Sequence, residues 1–172
     1  MRSLTGPRDI AVATALQKAE IVERSRLAAT PADVWERVSS REGIQAELRP
    51  IAAIAFPEGW AGLDATCIND ERPLFRCRLL LFGVIPVDLH DFGFPMIEPG
   101  HGFVERSSSL MHRTWVHERA LSPAQGGTEL TDRVYYQCRV PPLGPLMQPI
   151  LRAVFRHRHR QLRRFFNRPR LG

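Results

Sequence analysis

The fold of this chain is decided near its carboxyl end by the stretch LGPLMQPILRAVFRHRHRQLRRFF (residues 143–166). Its two prolines fall in the first two turns, so the stretch predicts one long terminal helix. At about 100° per residue, the large apolar side chains form a stripe along one side of this helix. The stripe consists of Met147, Ile150, Leu151, Val154, Phe155, Leu162, Phe165 and Phe166. Such a stripe requires a second layer of the protein to cover it.

The opposite side of this helix is basic. Its arginines are Arg152, Arg156, Arg160, Arg163 and Arg164. A further arginine, Arg158, falls within the apolar stripe. Residues 133–172 contain ten arginines and no carboxylate, while residues 1–132 have a net charge of −4.

The basic side permits three interpretations: a solvated surface that complements the acidic remainder, contact with an anionic membrane or an acidic protein, and nucleic-acid binding. We favour the first and expect no nucleic-acid partner. The reason is that the neighbouring phenylalanines belong to the apolar stripe, and a helix dipole favours cations near its C-terminus.

The composition is that of a soluble globular protein. Of the 172 residues, 44% are hydrophobic and 24% are charged. No apolar run approaches the ~20 residues that cross a bilayer, so no membrane-spanning segment is expected. Pro7 and Asp9 interrupt the place where a secretory signal needs its apolar core, which predicts a cytoplasmic location. The length predicts a single domain over residues 18–168, preceded by an extension over residues 1–17.

Upstream of the terminal helix, the sequence predicts an α+β arrangement. Residues 20–29 alternate like a strand, and TPAD (residues 30–33) then begins a short helix with a capping hydroxyl and an early proline. Residues 41–48 predict a second short helix. Strand patterns follow over residues 51–56, 75–82, 84–94, 103–108, 111–121 and 128–140. One face of such a sheet must be covered, and the terminal helix is the only predicted element long enough to cover it.

Five segments of the chain, taken in order, carry a resemblance to a known family. They are ATPADVW (residues 29–35), LFGVIPVD (81–88), WVHER (115–119), TELTDRVYY (128–136) and residues 141–166. The chain resembles the SRPBCC superfamily of helix-grip proteins, which includes START lipid-transfer domains and polyketide cyclases. The resemblance implies a curved antiparallel sheet of six to seven strands wrapped around the C-terminal helix, with two short helices after the first strand. It also implies a hydrophobic cavity between sheet and helix, but members range from carriers to enzymes.

Strand alternation then sorts the inward side chains. The last predicted strand has one apolar side, facing the helix, that includes Asp132, Val134 and Tyr136. For the preceding strand, the resemblance favours an inward side with Trp115, His117 and Arg119. An inward Asp132 needs a cationic partner, because a lone buried charge costs several kcal/mol. The candidates are Arg119 and Arg158, either as an ion pair that holds the helix on the sheet or as a polar anchor for an acidic or enolate end of a ligand.

These patterns predict a ligand-binding site formed by Trp115, His117, Arg119, Asp132, Val134, Tyr136 and Arg158. The leading hypothesis is the binding or carriage of a small hydrophobic molecule, lipid-like or polyketide-like. Two alternatives stay open: an aromatase/cyclase-type enzyme in which His117 or Asp132 moves protons, and a basic interaction module that acts through the terminal helix.

Carriage is favoured over catalysis, and no catalytic residue is assigned. Asp88 and His90 point away from Asp91 on one strand, so three ligands do not converge and no metal site is predicted. The sequence has no Gly-rich phosphate loop, and no cofactor is predicted.

Overall fold

The computed structural model describes residues 19–69 and 72–168. The predicted extension over residues 1–17 lies outside them. The elements occur in the order β1 (Ala19–Leu27), α1 (Pro31–Ser39), α2 (Arg41–Leu48), β2 (Ala52–Ile54), β3 (Phe75–Leu81), β4 (Ile85–Phe92), β5 (Met96–Glu98), β6 (Gly102–Ser109), β7 (His112–Ala124), β8 (Gly127–Cys138) and α3 (Gly144–Phe166). Short 3₁₀ turns lie at Ala65–Cys67 and Pro141–Leu143.

The strands form one antiparallel sheet in the order β1-β8-β7-β6-β4-β3-β2. This sheet curls around the long C-terminal helix α3, and the two short helices follow β1, so the predicted helix-grip arrangement is confirmed. Strand β5 pairs with β6 beside the main path and brings the sheet to eight strands. The sequence did not predict β5, because three residues are too few for a recognisable alternation.

Local signals explain where the two short helices begin. The Thr30 hydroxyl accepts a hydrogen bond from the Asp33 backbone N–H at 3.2 Å, and the Asp33 carboxylate accepts one from the Thr30 N–H at 3.3 Å. This reciprocal capping box, with Pro31 in the first turn, confirms the predicted helix start. The Ser40 hydroxyl caps α2 in the same way, accepting from the Gly43 N–H at 3.0 Å.

The C-terminal part of α3 is packed firmly against the sheet. Leu162 lies in a cluster with Leu27 and Leu130, and Phe155 lies in a cluster with Ile21 and Val134. Leu27 and Ile21 lie on β1, and Leu130 and Val134 lie on β8. Helix α3 therefore covers this side of the concave face. None of the helices in the described ranges is long and apolar enough to cross a bilayer.

The first turns of α3 are only partly covered by the sheet. Leu146 is 60% exposed and Ile150 is 48% exposed, although the stripe predicted that Ile150 is covered. Phe165 at the far end of the stripe is also exposed. The periodicity had identified the apolar side of the helix correctly, but a side chain on that side is buried only where another element reaches it.

Three connections lie at one end of the sheet, which we call the open end: the β3–β4 turn (residues 82–84), the β6–β7 turn (110–111) and the β8–α3 connection (139–143). The strand register places them together, since Ser109 pairs with His90 and His112 pairs with Cys138. Strand β4 pairs with β6 only at its last residues, so the β3–β4 hairpin extends about 16 Å past β6.

Candidate functional site

Asp132 is the centre of a buried ion network. It lies on the inner face of β8 and is 1% exposed. Its carboxylate accepts hydrogen bonds from Nε and Nη2 of Arg119, both at 2.7 Å. Nε2 of His117 and Nε2 of His159 lie 3.1 Å from its two oxygens. The expected pairing of Arg119 with Asp132 on neighbouring strands is therefore confirmed.

Glu47 joins this network from α2. It accepts two hydrogen bonds from the Arg119 guanidinium, at 2.9 and 3.0 Å, and one from Nε of Arg158 at 2.9 Å. Arg158 does point inward as predicted, but its bonding partner is Glu47 rather than Asp132. Sequence reasoning missed Glu47, although a signal existed: on α2 it shares the face of Ile44 and Leu48, where a second apolar residue would be normal.

A second carboxylate, Glu105 on β6, extends the network along the inner face. The Ser107 hydroxyl donates to it at 2.7 Å, and Nε2 of His90 lies 3.2 Å from the same oxygen. Nδ1 of His117 lies 3.5 Å from the other oxygen of Glu105. A carboxylate oxygen therefore lies near each ring nitrogen of His117.

His159 ties α3 to both β1 and β8. Its Nε2 faces Asp132, and its Nδ1 lies 2.8 Å from the Ser25 hydroxyl. Arg163 donates to the same hydroxyl oxygen at 2.6 Å. Arg163, predicted to face solvent, is therefore part of the contact between helix and sheet.

The electrostatics keep the carboxylates ionised. Burial alone would raise the pKa of Asp132, but the Arg119 and His117 charges and their hydrogen bonds hold it well below its usual range. Burial also raises the pKa of Glu47, but the charges of Arg119 and Arg158 outweigh this effect, and the pKa is lowered. For Glu105, burial is again the largest contribution and raises the pKa, yet His117 and His90 bring it down to about 2. The three carboxylates of the network are therefore ionised at neutral pH.

An aromatic wall lines the inner face beside this network. We define it as Phe75, Phe92, His90, Trp115, Tyr136 and, from α3, Phe155. The His90 ring lies 4.4 Å from Phe92 and 6.0 Å from Trp115, and the Trp115 ring lies 6.4 Å from Phe155. Val134 and Tyr136 are buried, but Trp115, Phe75 and Phe92 keep part of their surface exposed.

Two buried polar atoms near this wall lack a hydrogen-bond partner within the described part of the chain: Nε2 of His112 and Nε1 of Trp60. The His112 ring lies 5.3 Å from Trp115, and the Trp60 ring lies 5.3 Å from Phe75. Buried polar atoms are normally paired, so these two enclosed nitrogens are exceptions among the described residues.

A family model described as a domain of unknown function, DUF8410, matches residues 25–166. The chain belongs to this family. No curated protein matches the chain.

Solved structures share its fold at low sequence identity. A Chromobacterium violaceum protein is 14% identical with a TM-score of 0.66, covering 87% of this chain and 97% of its own. A START superfamily protein from Mycobacterium smegmatis is 13% identical with a TM-score of 0.61, covering 86% and 97%. DynU16, a protein of the dynemicin biosynthetic locus, is 15% identical with a TM-score of 0.53, and this chain covers 46% of its length. These similarities establish the helix-grip fold of the START and SRPBCC proteins for this chain and leave its ligand open.

Proposed function

We propose that this protein binds a small hydrophobic molecule on the concave side of the sheet, beside the first turns of α3. One observation carries the proposal: Trp115, Phe75 and Phe92 point inward yet remain partly exposed. A closed core packs such large aromatic side chains to high density, with no room left for solvent contact. Partly exposed rings on an inner face are instead typical of a hollow that a ligand fills.

The residues around the open end support the same proposal. Leu146 and Ile150, in the first turns of α3, are largely exposed. The residues that follow them in sequence, Met147 and Leu151, are partly buried and pack near Tyr136. A ligand seated here would cover apolar surface on both the helix and the aromatic wall, at roughly 25 cal/mol per Å².

The unpaired nitrogens of His112 and Trp60 indicate what kind of ligand fits. A purely aliphatic molecule would leave both nitrogens without a partner. Both nitrogens are enclosed in this structure, so a small shift of either ring is needed before a ligand carbonyl or hydroxyl can bond to it and offset the cost of its burial. We therefore favour a flat, polyketide-like molecule with ring oxygens over a plain hydrocarbon chain, since rigid aromatic side chains pack best against planar partners.

In this proposal the ion network holds the site in shape. The guanidinium groups of Arg119 and Arg158 are already bonded to carboxylates, so they have little capacity left for an acidic ligand. His117 and Val134 form the floor of the hollow, with the His117 ring 5.1 Å from Phe155. Because both nitrogens of His117 face carboxylates, it has no free position from which to act as a base, and we propose binding without turnover.

The test uses N-phenyl-1-naphthylamine, an uncharged probe that fluoresces on entering an apolar site. We expect saturable binding to the purified protein and about 10-fold weaker binding by Trp115→Ala, because the variant loses a large aromatic contact surface. Tyr135→Ala is the matched control, since Tyr135 is the neighbour of Tyr136 on the outer face of β8. Absence of saturable probe binding, or equal loss in both variants, would count against the proposal.

A further inference from the structure

The exposed apolar side chains of this protein are concentrated at the open end. Twelve large apolar side chains are exposed in the described residues, and nine of them lie there. They are Phe82, Val84, Ile85, Val87, Leu110, Val140, Leu143, Leu146 and Ile150. Exposed apolar side chains gathered at one end of a soluble protein are uncommon and mark an interaction site.

The tip of the β3–β4 hairpin strengthens this conclusion. Phe82 has a φ of +52° and is 64% exposed, and Val84 next to Gly83 is 74% exposed. The left-handed conformation is unfavourable for a bulky residue, and a turn of this kind normally has Asn or Gly at that position. A phenylalanine that contributes little to packing and occupies a disfavoured conformation therefore calls for a partner outside the chain.

The charge around these side chains indicates which partner fits. Residues 80–87, 109–116 and 133–152 contain no carboxylate. The same segments contain exposed Arg113, Arg139 and Arg152. The positive charge continues along the outer side of α3 with exposed Arg160, whereas the exposed Arg156 lies 4.0 Å from the carboxylate of Glu23 on β1. Apolar side chains bordered by arginine without opposing carboxylates match the boundary of an anionic membrane, where the chains enter the acyl region and the guanidiniums meet lipid phosphates.

We propose that the open end docks on an anionic membrane surface, with Phe82 and Val84 at the hairpin tip entering the interface. Leu110, Leu146 and Ile150 lie at the same end and settle against the headgroup region. This orientation brings the concave side and its opening to the lipid, so an apolar ligand passes between membrane and protein without crossing water. The docking surface does not depend on the nature of the ligand.

The principal experiment is co-sedimentation with lipid vesicles. We expect the protein to bind vesicles with about 30% phosphatidylserine, to bind weakly to pure phosphatidylcholine, and to lose affinity as salt rises. Phe82→Asn combined with Val84→Ser should weaken binding about 10-fold. Arg113→Gln combined with Arg152→Gln should weaken it about 20-fold, since each arginine near a membrane surface contributes roughly a factor of five.

Matched controls lie away from the open end. Phe165→Asn removes an exposed phenylalanine at the far end of α3, and Arg24→Gln removes an exposed arginine on the outer face of β1. Both should leave vesicle binding unchanged. Asn tolerates the left-handed conformation at position 82, so the hairpin variant is expected to fold, and its melting temperature verifies this.

A second measurement locates the tip directly. The natural cysteines Cys67, Cys77 and Cys138 are buried, so a cysteine placed at Val84 takes up an environment-sensitive fluorophore selectively. Its emission should rise and shift to the blue with anionic vesicles, whereas the same label at Phe165→Cys should not respond.

The proposal is overturned if anionic vesicles do not bind, or if the controls weaken binding as much as the open-end variants. It is equally overturned if sedimentation velocity without lipid shows a dimer that the Phe82→Asn/Val84→Ser variant dissociates, because a second copy then covers this end. Probe binding without vesicle binding would overturn the docking proposal and leave the ligand-binding proposal intact.

Discussion

The two halves of α3 meet the sheet in different ways. In the second half, Leu162 and His159 are almost completely buried, and His159 and Arg158 reach the carboxylates of Asp132 and Glu47. In the first half, Leu146 and Ile150 are exposed. One helix thus closes the fold at one end and borders an opening at the other.

In the proposed function, this difference separates stability from ligand binding along one element. Paired charges hold the second half of α3 against β1, β8 and α2 without requiring apolar side chains to fill the whole concave face. The first half of α3 can then have exposed apolar surface, which costs stability and which the proposed function uses for binding. Regions used for binding are commonly drawn from the less stable part of a fold.

The largest expected loss of stability comes from removing the charge of Asp132 at the centre of the ion network. Asp132→Asn removes the charge that faces Arg119 and two histidines, and leaving a buried guanidinium underpaired costs about 3–5 kcal/mol of unfolding free energy. Urea denaturation at neutral pH measures this loss. Asp91→Asn is the control, because Asp91 pairs with the exposed Arg76 on the surface and should change stability little. Similar losses in the two variants would refute the central role of Asp132.

The pH dependence of the unfolding free energy tests the contribution of the ion network a second time, through Glu105. The pKa of Glu105 is lowered in the folded protein from 4.5 to about 2, so its contribution is fully present above pH 4.5 and is lost as the pH falls towards 2. The shift corresponds to about 3 kcal/mol. The unfolding free energy of the wild type, measured by denaturation between about pH 2 and 6, should decline steeply as the pH falls, because this range spans both pKa values. Glu105→Gln should be less stable at neutral pH but decline less steeply; an equally steep decline would contradict the assignment.

A pair of leucines on α3 compares the two halves directly. Leu162→Ala should lower the unfolding free energy by about 2–3 kcal/mol, because it leaves a cavity between α3 and the cluster of Leu27 and Leu130. Leu146→Ala is the same substitution on the same helix at a side chain that is 60% exposed, and it should change stability by less than about 0.5 kcal/mol. Thermal and urea unfolding of both variants measure the difference. Equal losses would mean that the first turns of α3 are packed as firmly as the last.

Much of the fold was predictable because its signals are local. The Thr30 cap and Pro31 identify the start of α1, and strict alternation in β8 identified Asp132, Val134 and Tyr136 as inward residues. The resemblance to helix-grip proteins rested on such segments and was confirmed. The short strand β5 escaped prediction because its three residues carry no periodic signal.

The candidate site was less predictable. Trp115, His117 and Arg119 were placed on the inner face from the resemblance, and their ring and ion-pair contacts agree with that placement. Whether these residues bind a ligand stays a prediction. Glu47 was not among them, because the pattern of α2 shows which face is buried but not which distant cation meets it. His112 was not singled out either, since an unpaired nitrogen is visible only when all its neighbours are known.

Residue pattern alone was enough to establish the order of elements, the apolar side of α3 and the need of Asp132 for a cation, since these depend on neighbours within a few positions. The assembled fold decided the rest: Arg119 meets Glu47 across 72 positions, and Ile150 is left uncovered while Leu162 is buried. The physical reason is that burial and charge pairing depend on which surfaces approach each other in space. A helical wheel contains no information on that approach.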